Sequence, residues 1–103
     1  MTTRAHLPNR RESQTLELEL HGLKFTASFS FFPDGRLAEV FLQNHKPGSQ
    51  SDVNARDAAV VTSIALQHGV TLEVICKALL RDSHGLASSP LGAALDRIAE
   101  RDA

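Results

Sequence analysis

The chain has 103 residues, 42% of them hydrophobic and 22% charged, with a formal net charge of −1. A chain of this length buries about 60–65% of its unfolded surface, enough for one modest core and not for a separate cofactor domain, and its near-neutral charge argues against a dedicated polyanion binder. The single cysteine, Cys76, excludes a disulfide framework and a cysteine-rich zinc site; with no apolar run near the roughly 18 residues of a membrane span and no signal-peptide core in residues 1–11, a cytoplasmic protein is expected.

Residues 1–14 are polar and aperiodic, with Pro8, Asn9 and the pair Arg10-Arg11, and read as a flexible arm preceding a single domain over residues 15–103. From Thr15, Leu16, Leu18 and Leu20 alternate with Glu17 and Glu19, the period-2 pattern of a half-buried strand. His21-Gly22 suits a tight turn. A second strand follows, in which Leu23, Phe25, Ala27, Phe29 and Phe31 alternate with Lys24, Thr26, Ser28 and Ser30. Pro33-Asp34-Gly35 is a turn by its chemistry: fixed φ, a side chain that bonds the backbone ahead, and tolerance of positive φ. Leu37 to Gln43 is a third strand with Ala38, Val40 and Leu42 on one face, completing an antiparallel meander.

After a loop containing Lys46-Pro47-Gly48-Ser49, Asp52 is the expected N-cap of a helix from Val53 to about His68. Its centre, Ala58 to Leu66, is apolar nearly all round, which predicts burial on most sides; Gly69 is placed to end it. Thr71 caps a second helix, with Leu72, Ile75, Cys76, Leu79 and Leu80 as an amphipathic stripe. Ser89 caps a last helix with Pro90 at its first position, and Leu91, Ala94, Leu95 and Ile98 line one side. The order β-β-β-α-α-α predicts an α+β domain, a three-stranded antiparallel meander followed by two or three helices packed on one sheet face. Phe41, Leu37 and Phe32 are expected on the open face, where burial between subunits would offset a thin core; a homo-oligomer is therefore expected.

Four stretches carry a resemblance. Pro33-Asp-Gly-Arg-Leu-Ala-Glu-Val-Phe-Leu42, Lys46-Pro-Gly-Ser49, Thr62-Ser-Ile-Ala-Leu-Gln-His-Gly-Val-Thr-Leu-Glu73 and Ala87-Ser-Ser-Pro-Leu91 occur in the order and at the spacing of the TSCPD domain, which this sequence resembles over roughly residues 23–99. That domain is found near the C-terminus of adenosylcobalamin-dependent ribonucleotide reductases and as short stand-alone proteins of bacteria and prophages. The resemblance implies an accessory domain rather than a reductase, because the reductase's radical-forming cysteine, redox pair and cobalamin site lie outside it. Ser89 stands where the naming motif has cysteine and Leu91 where it has aspartate, so no metal or redox role of that cysteine carries over.

Among candidate site residues, Lys46, Gly48 and Ser49 lead into a helix N-terminus, a combination of lysine, amides and dipole suited to a phosphate; the plain alternative is a structural loop, with Asp52 competing for the same amides. The loop lacks the full P-loop spacing. Arg36 and Arg56 either join that anion site or pair with carboxylates, Asp52 or Asp57 in the case of Arg56. The five histidines lack metal-ligand spacing, no serine has a nucleophile's context, and Cys76 reads as a buried, inert thiol. Arg4, Arg10 and Arg11 could touch phosphates but have no interleaved aromatics, so nucleic acid ranks last among partners. Two functions remain open: a non-catalytic, oligomeric assembly module with a protein partner, or a protein that binds and sequesters a nucleotide or other phosphorylated small molecule through Arg36, Lys46, Gly48, Ser49 and Arg56. No catalytic residue, metal or cofactor is expected.

Overall fold

A computed structural model describes residues 3–7 and 12–101. Its order is β1 (Gln14–Leu20), β2 (Leu23–Phe31), β3 (Leu37–Asn44), α1 (Gln50–Gln67), α2 (Leu72–Ala78) and α3 (Pro90–Arg101). The strands form one antiparallel sheet in the order β1-β2-β3, the expected α+β meander. His21 and Gly22 both adopt positive φ, 52° and 78°, and Leu20 pairs with Leu23 across them. Two consecutive left-handed residues are what a two-residue hairpin loop needs to follow the twist of its strands.

Alternation places Leu16, Leu18, Phe25, Ala27, Phe29, Val40 and Leu42 on the covered face, where they form the core with Leu91, Ala94, Leu95 and Ile98 of α3. The expected stripe of α3 is buried as predicted, and Ser89 Oγ caps the helix by accepting from Gly92 N at 3.0 Å. Phe41 projects into water as expected, whereas Leu37 and Phe32, expected beside it, are buried. The register explains Leu37. Ser30 pairs with Glu39 but Phe31 with Leu37, leaving Ala38 as an extra residue of β3. A bulge of this kind breaks the alternation and turns Leu37 into the core.

α1 differs more from expectation. It starts at Gln50, and Ser49, not Asp52, is the N-cap: its Oγ accepts from Asp52 N. Nor is it buried on most sides. Val53, Val60, Val61 and Ile64 are exposed, while Asp52, Thr62, Ser63 and Gln67 are buried with Ala55, Ala59 and Leu66. The reason lies in β3, an edge strand whose outward backbone groups need partners. Ser63 Oγ accepts from Val40 N at 2.9 Å and donates to Val40 O at 2.8 Å. Gln67 Nε2 donates to Ala38 O, and Asp52 Oδ1 accepts from Asn44 N. The helix thus turns its polar and small residues to the strand.

α2 ends at Ala78, and none of its residues is fully buried. Of its predicted stripe, Leu72, Ile75, Cys76 and Leu79 are half-buried against the core, and Leu80, beyond the helix end, is exposed. Thr71 caps it as expected, accepting from Val74 N. The loop after it is pinned by Arg81, which reaches both oxygens of Asp96 on α3 at 2.8 Å. Part of the polar arm meets the domain, where Ala5 N donates to Gln67 O and Arg4 Nε to Gln67 Oε1; Pro8, Asn9, Arg10 and Arg11 of the arm lie outside the described residues.

Candidate functional site

The loop between β3 and α1 folds around a carboxylate of its own chain. Gly48 takes φ 79°, a left-handed conformation that glycine adopts without strain, and its amide donates to Asp52 Oδ2 at 3.0 Å. Asp52 Oδ1 receives Asn44 N at 2.9 Å, and Arg56 Nε bridges both oxygens at 3.0–3.1 Å. The Gly48 amide first, then that of Asn44, and the Arg56 guanidinium hold the Asp52 carboxyl below the usual carboxylate range, against the opposing effect of burial. Ser49 Oγ closes the turn by donating to Lys46 O at 2.9 Å. Lys46, Gly48, Ser49 and Arg56 therefore gather at the N-terminal end of α1, and an aspartate of this chain holds the Gly48 amide that an external anion would use.

Arg36 is not with them. It stands at the opposite end of β3, roughly 30 Å of extended chain from Lys46. Its Nε donates to Asp34 Oδ2 at 2.7 Å, and its guanidinium lies 4.9 Å from the centre of the Phe32 ring. It borders a cleft of about 540 Å³ together with Leu66, Val70, Leu72 and Glu73, near the C-terminal end of α1.

A second cleft, about 430 Å³, lies where the β1–β2 turn, α1 and the start of α3 converge. Leu23, Phe25, Ala58 and Leu79 make it mainly apolar, with His21 and Asn54 on its wall. Ser89 also lines it, but its hydroxyl is committed to the α3 cap. Cys76 is half-buried rather than buried; burial first, and then the Asp96 carboxylate, push its thiol upward, so the reactive thiolate is disfavoured. No group of three metal-ligating side chains occurs among the described residues, and no described helix is long and apolar enough to cross a membrane.

A further feature is the outward side of α1. Val53, Val60 and Ile64 recur at i, i+7 and i+11 with Val61 beside them, and Phe41 of β3 borders the same surface next to Val60. Val61 is 67% exposed and Phe41 47%. Hydrophobicity suggested that Val60, Val61 and Ile64, in the apolar centre of the helix, were core. The available signal was the opposite stripe, Asp52, Ala55, Ala59, Thr62, Ser63 and Leu66, whose spacing marks one helix face made of small and hydrogen-bonding residues.

The sequence profile of the TSCPD domain matches residues 2–100. The chain belongs to the TSCPD domain family. Its similar proteins include the vitamin B12-dependent ribonucleotide reductase of Agrobacterium fabrum, 37% identical over 70 residues, which are 68% of this chain and 6% of the relative. The enzyme of the same name from Bradyrhizobium diazoefficiens is 33% identical over 73 residues, 71% of this chain and 6% of the relative. That of Rhodopirellula baltica is 36% identical over 72 residues, 70% and 7% respectively. No solved structure matches the chain significantly. This TSCPD domain thus spans a small fraction of the length of the relatives it matches. Its Ser89-Pro90-Leu91 segment opens α3, as the resemblance implied, and the serine there serves as a cap.

Proposed function

We propose that this TSCPD domain is a non-catalytic accessory domain, related to ribonucleotide reductases, that works by assembly in the cytoplasm: it self-associates and engages a partner protein. The observation that carries this reading is the exposed apolar side of α1, continuous with Phe41. Contiguous apolar surface of this kind marks interaction sites on soluble domains. Two further features support it. The loop suited to an anion has its Gly48 amide engaged by Asp52, and of the arginines expected to assist, Arg36 stands near the C-terminal end of α1 while Arg56 stands near its N-terminal end. The similar proteins are B12-dependent ribonucleotide reductases in which the matched stretch is a minor part of the length, so a reductase of that type is the partner to try first.

The test is a light-scattering mass of the purified chain from 10 to 200 µM, with calorimetric titration into a B12-dependent ribonucleotide reductase from which the matching segment has been deleted. Self-association, and binding to the truncated reductase, are expected. A chain that stays monomeric and binds no reductase overturns the reading. A thermal-shift screen of nucleotides is expected to stay flat; saturation at 100 times Kd would add about 2.7 kcal/mol of stability, so a clear shift would favour sequestration instead.

A further inference from the structure

We infer that the outward face of α1 is the seam of a two-fold dimer of this chain, in which two α1 helices pack antiparallel. The inference rests on the assembly reading above and assigns it a surface, an occupant and an orientation. The seam follows from helix geometry. Val53, Asp57, Val60 and Ile64 lie at i, i+4, i+7 and i+11, the heptad spacing that keeps one narrow line of side chains facing a partner helix. All four are exposed, with Val61 beside them and Phe41 along the flank.

The size of the patch meets what a dimer of this chain needs. With Val53 43%, Val60 46%, Val61 67%, Ile64 39% and Phe41 47% exposed, these five largely apolar residues leave on the order of 400 Å² in water, and one side of a standard interface contributes about 800 Å², a little over half of it apolar. Doubling this patch about a two-fold axis therefore supplies the apolar centre of one standard interface, with polar neighbours such as Arg56, Gln43 and Thr26 as its rim. A two-fold pairing is isologous: each subunit offers the same surface, so one apolar seam covers another.

Asp57 decides the orientation. In a parallel pair the two Asp57 carboxylates would meet across the seam. In an antiparallel pair centred between Val60 and Val61, each Asp57 lies level with the partner's Ile64. At a rise of 1.5 Å per residue, that separates the two carboxylates by about 10 Å along the axis. A carboxylate within the seam still weakens the pairing, as polar residues at such positions do while they fix register.

The experiment measures dimer dissociation by sedimentation equilibrium for the native chain and three variants, each checked for native circular dichroism. Val61→Glu is expected to raise the dissociation constant at least ~100-fold, since it brings an unpaired charge into the seam. Asp57→Leu is expected to lower it, about tenfold or more, because it completes the apolar line. Leu86→Glu, on the loop before α3 where Leu86 is equally exposed, is expected to change nothing. For orientation, Val53→Cys and Val61→Cys are oxidised separately: in the antiparallel pairing Val61→Cys, close to the axis, cross-links and Val53→Cys does not. Equal cross-linking at both positions overturns the orientation. A native oligomer indifferent to Val61→Glu and Asp57→Leu overturns the seam while the assembly reading stands; a native monomer that binds the truncated reductase overturns the seam and self-association and leaves only the partner-binding half of that reading. A native monomer without reductase binding sinks both.

Discussion

The carboxylate of Asp52 joins three segments at one point: the last residue of β3 through Asn44 N, the loop through Gly48 N, and the second turn of α1 through Arg56. All three partners favour its anion, so its carboxyl ionises more readily in the folded chain than in the unfolded one. A carboxyl lowered on folding contributes stability that is fully present above its unfolded value, about 3.9, and is lost as pH falls through the folded value. Asp96, held down by Arg81, acts in the same direction. Asp52→Asn is therefore expected to lower the melting temperature at pH 7 and to differ less and less from the native chain as pH falls below about 4. Melting curves at pH 7, 5 and 3 check this. A deficit that stayed constant with pH would mean that the shape of the side chain, not its charge, holds the loop. The sequence pointed to Asp52 or Asp57 as the partner of Arg56, because an arginine at the start of a helix opposes its dipole, and the structure selects Asp52. The sequence did not show that the carboxylate would turn back toward Gly48 and Asn44, which depends on Ser49 taking over the cap.

At the scale of elements, α1 is held to β3 by hydrogen bonds as much as by apolar contact. Ser63 satisfies both the amide and the carbonyl of Val40 in a buried setting. Ser63→Ala leaves two buried backbone groups unpaired, at a cost of about 1–3 kcal/mol each before relaxation; the urea midpoint is expected to fall with an unchanged m-value. Gly92 gives a second check. A Cβ built there would lie 2.9 Å from the Cβ of Ala87, so Gly92→Ala is expected to destabilise by about 1–3 kcal/mol through overpacking, read from the same denaturation curves. The contrast between strands and α1 shows what was legible. β1 and β2 could be read because alternation alone decides which side faces the core, and His21-Gly22 because few residues accept two left-handed conformations. α1 could not be read by hydrophobicity, since the demand it meets, the unpaired edge of β3, belongs to another part of the chain. Leu37 was misplaced for a related reason: the bulge at Ala38 is a property of the pairing with β2, invisible within β3 itself.

At the scale of the whole molecule, the domain combines a small core with a line of apolar side chains on its surface. Leu16, Phe25, Phe29, Leu95 and Ile98 build the core, yet Val53, Val60, Val61, Ile64 and Phe41 remain in water. A short chain has few such residues to spare, because the fraction of surface it can bury is small. If α1 is a seam, stability and assembly become one equilibrium. A partner that binds only the folded form stabilises it by mass action, and when that partner is a second copy the stabilisation grows with protein concentration. The native chain is expected to melt a few degrees higher for each tenfold rise in concentration, given that about 1 kcal/mol moves the midpoint of a domain this size by 4–8 °C. Val61→Glu, monomeric throughout, is expected to melt at one temperature whatever its concentration and to converge with the native chain at high dilution. Calorimetric scans from 5 to 500 µM on both proteins test this. If the two keep parallel curves, α1 does not couple folding to pairing.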